Sequence, residues 1–315
     1  MINEQVLYLV VPCYNEEAVL CESGRHMKEK LEALIERNLI SKDSKILFVN
    51  DGSKDRTWEI IENFNKENAI FRGVSLSRNK GHQNAVYAGL MVAKECCDFA
   101  ITIDSDLQDD INAVDGFVEE YNKGSDIVYG VRASRKTDSA FKRITAEGYY
   151  KLLKNMGVDV VFNHADYRLM SKRALEALSE FKEYNLFLRG IVPLIGYKTA
   201  TVYYERAERF AGESKYPLKR MLALAWDGIT SFSVRPIKMI SFIGGFLVIS
   251  SVPAFITTLI LSVFMCINPI AYLYFFIALI GGLNMLSLGI VGEYVGKIYS
   301  ETKQRPRYFI DKFLG

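Results

Sequence analysis

Asp104 and Asp106, separated by Ser105, close the run FAITIDSDLQDD, in which an apolar stretch ends abruptly in acids. At the end of a buried strand both carboxylates can turn toward one point in a cleft. Hard oxygen ligands of this kind suit Mg²⁺ or Mn²⁺, which commonly completes its octahedron with phosphate oxygens and water. Gln108 could add a carbonyl ligand, whereas Asp109 and Asp110 read as caps of the next helix. Three more polar clusters, PCYNEE, DGSKDRT and SRNKGHQNA, each follow an apolar run. Each alone is weak, because NDGS is also an ordinary turn before a helix cap. Four in succession point to one shared cleft.

The elements that must position these clusters are legible as an alternation. VLYLVV, KILFVN, FRGVSL, FAITID and DIVYG have strand character and are separated by helical stretches at 17–37, 54–66, 82–96 and 111–122. Such βα alternation predicts a mainly parallel sheet with helices on both faces, and ligands at the C-terminal ends of its strands. No GxGxxG fingerprint or Walker A sequence occurs, which lowers the dinucleotide and ATPase readings.

Composition bounds the rest. The chain has 315 residues, half of them apolar, and a formal net charge of +2. That balance, without a long Lys/Arg run, excludes general nucleic-acid binding. Cys13, Cys21, Cys96, Cys97 and Cys266 form no CxxC pair and no zinc-ligand spacing with histidine, so neither a disulfide framework nor a structural zinc is expected. The start, MINEQVLYLVVPCYNEE, has no basic segment or cleavage site and reads as a first strand. The bulk of the protein is therefore expected to stay in a reducing cytosol.

From Met239 to Gly292 the chain contains no Asp, Glu, Lys or Arg. One helix of that length would reach roughly 80 Å against a hydrocarbon core of about 30 Å, so the segment must be divided. Asn268-Pro269 is the obvious divider. It leaves one span near 238–264 and another near 271–293, with cationic flanks (Lys219, Arg220, Arg235 and Lys238 before; Lys297, Lys303, Arg305, Arg307 and Lys312 after) that put both ends in the cytoplasm. A buried hairpin of a soluble core is the alternative. KYPLKRMLALAWDGITSF reads as an interfacial helix or as an amphipathic helix packed on the catalytic domain. The expected organisation is a catalytic domain at 1–214, the interfacial helix at 215–234, two transmembrane helices within 235–297 and a basic cytoplasmic tail at 298–315.

VPCYNEE, NDGSKDRT, RNKGHQNA, IDSDLQDD and GVR together resemble the family 2 glycosyltransferases with the GT-A fold. Within that family, NHADYRLMS, the pattern from Arg206 to Tyr216 and the tail GEYVGKIYSETKQRPRY are similar to polyprenyl-phosphate glycosyltransferases, among them undecaprenyl-phosphate glycosyltransferases and dolichyl-phosphate mannose synthases. The resemblance implies that Pro12, Tyr14, Glu16 and Asp51 lie around the base and ribose of a nucleotide-sugar, with Lys80 and Gly81 nearby. It implies a metal site of Asp104, Asp106 and Gln108, and phosphate contacts from Arg132, Arg209 and Lys215. Asp166, Arg168 and Asp106 would be the catalytic set, Asp166 acting at the acceptor or sugar. Family members usually carry Gly-Asp-Phe where this chain has Ala165-Asp166-Tyr167. His82 and His164 read as structural, and Arg135 as a solvated surface charge. The resemblance also implies homo-oligomers, tetramers among them.

The chemistry that follows is inverting transfer from a nucleotide diphosphate sugar, UDP-linked, to undecaprenyl phosphate at the cytoplasmic face of the inner membrane. A divalent metal would offset the charge developing on the leaving diphosphate. A phosphomonoester has a second pKa near 6, so the acceptor oxygen needs no strong general base. That assigns Asp166 mainly to orienting sugar or acceptor. Two anionic substrates also call for cations beyond the metal, with Arg132, Arg168, Arg206, Arg209 and Lys215 the candidates. The alternatives are transfer to another glycan or lipid, and a membrane-anchored nucleotide-sugar-binding protein without catalysis. A processive synthase is disfavoured because no QxxRW signature is present.

Overall fold

The computed structural model describes residues 5–106, 108–133, 164–183, 186–205 and 269–315, with scattered positions between 236 and 260. The chain divides into two units. Met1–Tyr150, Asp159–Pro217 and Gln304–Gly315 form the first, and Lys151–Val158 with Leu218–Lys303 form the second.

In the first unit the strand-like runs fold as β1 (Leu7–Cys13), β2 (Lys45–Asn50), β3 (Phe71–Leu76), β4 (Phe99–Thr102) and β5 (Ile127–Arg132). Between them lie α1 (Leu20–Glu36), α2 (Thr57–Glu67), α3 (His82–Lys94) and α4 (Ala113–Asn122). Every residue of β1 is buried, as expected of a strand covered on both faces. Then come β6 (His164–Ser171), α5 (Lys172–Ser179), α6 (Leu188–Leu194), β7 (Thr199–Tyr204) and, at the end of the chain, β8 (Ile310–Leu314). The sheet order is β7-β5-β6-β4-β1-β2-β3-β8. β1 pairs in parallel with β2 and β4, β2 with β3, and β5 with β7. β6 runs antiparallel between β4 and β5, and β8 antiparallel to β3. The sheet is thus mixed but mainly parallel, as the alternation predicts.

The helices cover it through regular apolar stripes. α1 buries Leu20, Met27, Leu31 and Leu34, which recur at helical spacing. α3 lies so close to the sheet that a β-carbon on Gly89 would come within 2.4 Å of a Val10 methyl and 2.6 Å of a Val49 methyl. Phe48, Phe64 and Phe71 stack at 4.8–6.0 Å between α2 and the sheet. Pro12 lies beyond Val10–Thr102, the last pair of β1 with β4, so its missing N–H withdraws nothing from that ladder.

The last five residues differ from the sequence expectation, which set 298–315 apart as a basic tail. IDKFL forms β8 on the edge of the eight-stranded sheet, with Gly73 opposite Leu314 and Ser75 opposite Lys312. Two charges in five residues and no clean period of two hide such a strand from pattern reading.

In the second unit, α7 (Pro269–Thr302) runs 34 residues and starts at the proline expected to divide the apolar segment. Its stretch Leu279–Thr302 is long and apolar enough to cross a membrane, with a mean hydropathy of 1.3. Met285, Leu286 and Leu288 are 77%, 60% and 70% exposed. Exposed apolar surface on this scale suits a lipid or protein partner better than water. The other expected span, 238–264, falls mostly outside the described residues, as does the interfacial segment 215–234.

Candidate active site

The polar clusters after β1, β2, β3 and β4 meet at the C-terminal ends of the strands, bound to one another by hydrogen bonds. Asn15, with φ of 53°, accepts from the Lys54 amide at 2.9 Å, while its own amide donates to Ser53 Oγ at 3.0 Å. The Glu16 amide donates to Thr57 Oγ1 at 2.9 Å and the Arg56 amide to Glu17 Oε2 at 2.9 Å. These bonds zip the first cluster to the second. Tyr14 stands at the rim, 36% exposed.

Asp51, buried just beyond β2, fixes the third cluster. Its two carboxylate oxygens accept from the amides of Lys80 at 2.7 Å and Gly81 at 2.9 Å. Burial raises its pKa, opposed by these two amides. The next residue, Gly52, has φ of 64°, and a β-carbon there would meet the Arg78 and Asn79 backbone at 2.6 Å. Only glycine lets the two loops approach so closely. Asp51 is thereby committed to shaping the loop.

The acidic cluster after β4 is held from below. Ser23 Oγ of α1 donates to the Ser105 carbonyl at 2.5 Å, pinning the backbone between Asp104 and Asp106. Asp106 Oδ1 accepts from the Gln108 amide at 3.2 Å. The Asp104 side chain stays 39% exposed, facing His82 Nε2 at 3.9 Å. Enclosure by protein, reinforced by the charges of Asp106 and Asp166, raises the Asp104 pKa against the opposing pull of His82. Among the described residues no three His, Cys, Asp or Glu side chains gather as a complete metal-ligand group. Two carboxylates one residue apart at a strand end, the charge of Asp106 adding to what raises the Asp104 pKa, fit a dication that takes its remaining ligands from water and phosphate, the habit of Mg²⁺.

Asp166, on β6, is the most heavily engaged carboxylate. Arg168 Nη2 donates to its Oδ1 at 2.7 Å, while Arg189 donates Nε to Oδ1 at 3.2 Å and Nη2 to Oδ2 at 3.0 Å. His82 Nε2 lies 3.7 Å from Oδ2. Burial raises the pKa of this carboxyl, but Arg189, His82 and Arg168 outweigh it and hold the group well below the usual carboxylate range. Burial likewise lowers the His82 pKa, yet Asp166 and Asp104 prevail and raise it to about 9. His82, read as structural in the sequence, thus stands between two acids of the cleft whose charges favour its protonated form.

Arg168 is only 1% exposed and lies beneath the site. Arg132 ends β5 and is bonded to the Tyr204 hydroxyl, which in turn donates to Asp109 Oδ1 at 2.6 Å. Asp109, expected to cap a helix, thus serves this relay. Asp110 behaves nearer to expectation, its Oδ1 accepting from the Asn112 amide at 2.9 Å just before α4. Tyr167, in place of the usual Phe, is buried edge-on to Phe117 and Tyr204, and its hydroxyl donates to the Asp110 carbonyl at 3.1 Å. Arg135, Arg206, Arg209, Lys215 and Tyr216 lie outside the described residues, and the side chain of His164 likewise.

Sequence reasoning missed Arg189. The available signal was a single cation inside the apolar run LFLRGIVPLI, an isolation that calls for a partner. It missed Tyr204 and Ser23 for want of any signal, since neither stands out from its neighbours.

A mainly parallel α/β sheet with its acidic and cationic side chains gathered at the strand ends is the frame of a GT-A-like nucleotide-sugar transferase. The chain belongs to the glycosyl transferase family 2, which it matches over residues 8–179, and it is an enzyme of that class. It is 51% identical to the uncharacterized glycosyltransferase YkoT of Bacillus subtilis (strain 168), over 98% of this chain and 92% of that one. It is 39% identical to the prophage bactoprenol glucosyl transferase homolog of Escherichia coli (strain K12), over 96% and 98% of the two chains. To the bactoprenol glucosyl transferase of Shigella phage SfII it is 37% identical, over 96% and 97%.

Proposed function

We propose that this protein transfers a sugar from a UDP-linked donor to undecaprenyl phosphate at the cytoplasmic face of the membrane, inverting the anomeric carbon. The observation that carries the reading is the full-length similarity to proteins named as bactoprenol glucosyl transferases, joined to a cleft with the acids and cations such a reaction needs. Asp104 and Asp106, with Gln108 beside them, would hold Mg²⁺ or Mn²⁺, whose positive charge offsets that developing on the leaving diphosphate. Pro12, Tyr14, Glu16, Asp51, Lys80 and Gly81 would line the nucleotide, and Arg132, Arg209 and Lys215 the phosphates. Asp166 and Arg168 would act at the sugar or acceptor.

The state of Asp166 favours an orienting role over proton abstraction. A carboxylate already bonded to two guanidiniums is a weak base, and an ionised acceptor phosphate needs none. In-line attack from the face opposite the diphosphate then gives inversion.

Chain connectivity supports a membrane hairpin. β3 and β8 belong to one sheet, and α7 ends at Thr302, eight residues before β8 begins. If α7 crosses the bilayer, the chain must cross an odd number of further times upstream to begin and end on the same side, and 238–264 is the segment suited to that. A hairpin would hold the enzyme at the interface where a polyprenyl phosphate displays its headgroup, since withdrawing the lipid costs about 0.8 kcal/mol per CH₂. The expected domain limits are kept as part of this proposal, with 304–315 grouped with the catalytic unit.

The test is a panel of labelled nucleotide-sugars, UDP-glucose first, incubated with undecaprenyl phosphate and purified protein with and without a chelator. A chloroform-soluble labelled product that disappears with chelator is expected. No lipid-linked product from any donor would sink the acceptor assignment, and full activity in chelator the metal assignment.

A further inference from the structure

A further positioning residue emerges at the start of α6. Arg189 meets both oxygens of Asp166 in a two-point contact, Nε to Oδ1 at 3.2 Å and Nη2 to Oδ2 at 3.0 Å. Arg168 reaches only one of those oxygens and, being buried, cannot leave. A carboxylate gripped at one oxygen can still rotate about its Cβ–Cγ bond. Gripped at both by a planar fork, it has one orientation.

The backbone that carries Arg189 is itself fixed from two directions. The Leu188 amide donates to Gln83 Oε1 of α3 at 3.1 Å, and the Leu188 carbonyl accepts from Arg168 Nη1 at 3.3 Å. Gln83 adjoins His82, whose ring lies between Asp166 and Asp104. The first turn of α6 is therefore tied to the start of α3 and to β6 together. Arg189 remains 31% exposed, so it lies at the cleft and not beneath it.

We propose that Arg189 is a positioning residue that sets the orientation of the Asp166 carboxylate, with Gln83 and Arg168 placing the Arg189 backbone. This deepens the transfer reading and rests on it. Arg189 acts through Asp166, so its loss should lower turnover without weakening donor or acceptor binding.

The experiment measures nucleoside diphosphate released by the full-length enzyme in detergent or nanodiscs, with and without undecaprenyl phosphate, for wild type, Arg189→Ala and Arg189→Lys. Arg189→Ala is expected to lower kcat about 100-fold with KM for either substrate within about threefold. Millimolar guanidinium chloride should restore about tenfold of the loss, and methylammonium much less, because only the planar fork meets both oxygens. Arg189→Lys should fall between wild type and Arg189→Ala, and it carries the decision if Arg189→Ala does not fold by circular dichroism. A kcat within threefold of wild type, a loss confined to KM, or a loss that guanidinium does not restore overturns the proposal. For Arg189→Lys, a kcat within threefold of wild type or a loss confined to KM likewise overturns it. Wild-type enzyme that releases nucleoside diphosphate but makes no lipid-linked product refutes the acceptor reading alone, leaving Arg189 to be judged by the same ratios.

Discussion

At Asp166, two guanidiniums and an imidazole surround one carboxylate, and the balance of charge decides its chemistry. Burial alone would favour a protonated acid, yet three cations overcome it. Removing the carboxylate strands Arg168, which is almost wholly buried. Asp166→Ala is therefore expected to cost about 3 kcal/mol, read as a lower denaturant midpoint in the catalytic unit, with a smaller loss for Asp166→Asn because an acceptor oxygen remains. Asp104→Asn should instead lose transfer while holding its thermal midpoint, because Asp104 is partly exposed and its attraction to His82 is offset by the charges of Asp106 and Asp166. Unchanged transfer in that variant would remove the metal role. Tyr167→Phe deletes one buried hydrogen bond to the Asp110 carbonyl and should cost about 1 kcal/mol, with transfer within threefold of wild type.

Elements show the same dependence on close fit. α3 reaches the sheet only because position 89 has no side chain, so Gly89→Ala drives a methyl into Val10 and Val49. Overpacking of this kind costs about 1–3 kcal/mol, and shaving the obstacle with Val10→Ala should return part of it, measurable in a double-mutant cycle. α1 and α4 are braced by Asp115, which accepts from Lys30 and, at 2.7 Å, from Arg37. Burial raises the Asp115 pKa, but Lys30 and Arg37 outweigh it and depress it. The stability this pair contributes is present above the unfolded carboxyl pKa of about 3.9 and is lost as pH falls through the folded value. Asp115→Asn should thus be about 1 kcal/mol less stable at pH 7, the gap closing in acid. A gap that persists below the folded pKa would show the cost to be steric.

For the whole molecule, the decisive feature is that the chain leaves the catalytic unit, runs through α7 and comes back as β8. Deleting 310–315 strips a strand from the edge beside β3 and removes Leu314, whose side chain packs over Gly73. The truncated protein is expected to partition between membrane and soluble fractions as the full-length chain does but to show a lower thermal midpoint and more aggregation, as an uncovered edge invites pairing. Reporter fusions give the matching test of topology. A reporter at the C-terminus should be active on the cytoplasmic side and one inserted at 266–268 on the outer side. The same side for both would remove the hairpin.

The sequence by itself determined the βα alternation, the four polar clusters, the uncharged stretch from Met239 to Gly292 and the family, because periodicity, strand-end polarity and long apolar runs are local properties of the chain. Asp104, Asp106 and Asp166 were legible for the same reason, each standing in a recognisable motif. Only the tertiary structure decided what those residues touch. It turned His82 from a structural histidine into a partner of two cleft acids, gave Asp109 to Tyr204, brought Arg189 onto Asp166 across 23 residues and folded IDKFL into the sheet. Each of these pairings joins segments remote in the chain. Their energies come from burial and charge at closed distances, and no spacing within the sequence encodes a distance that forms only when the sheet does.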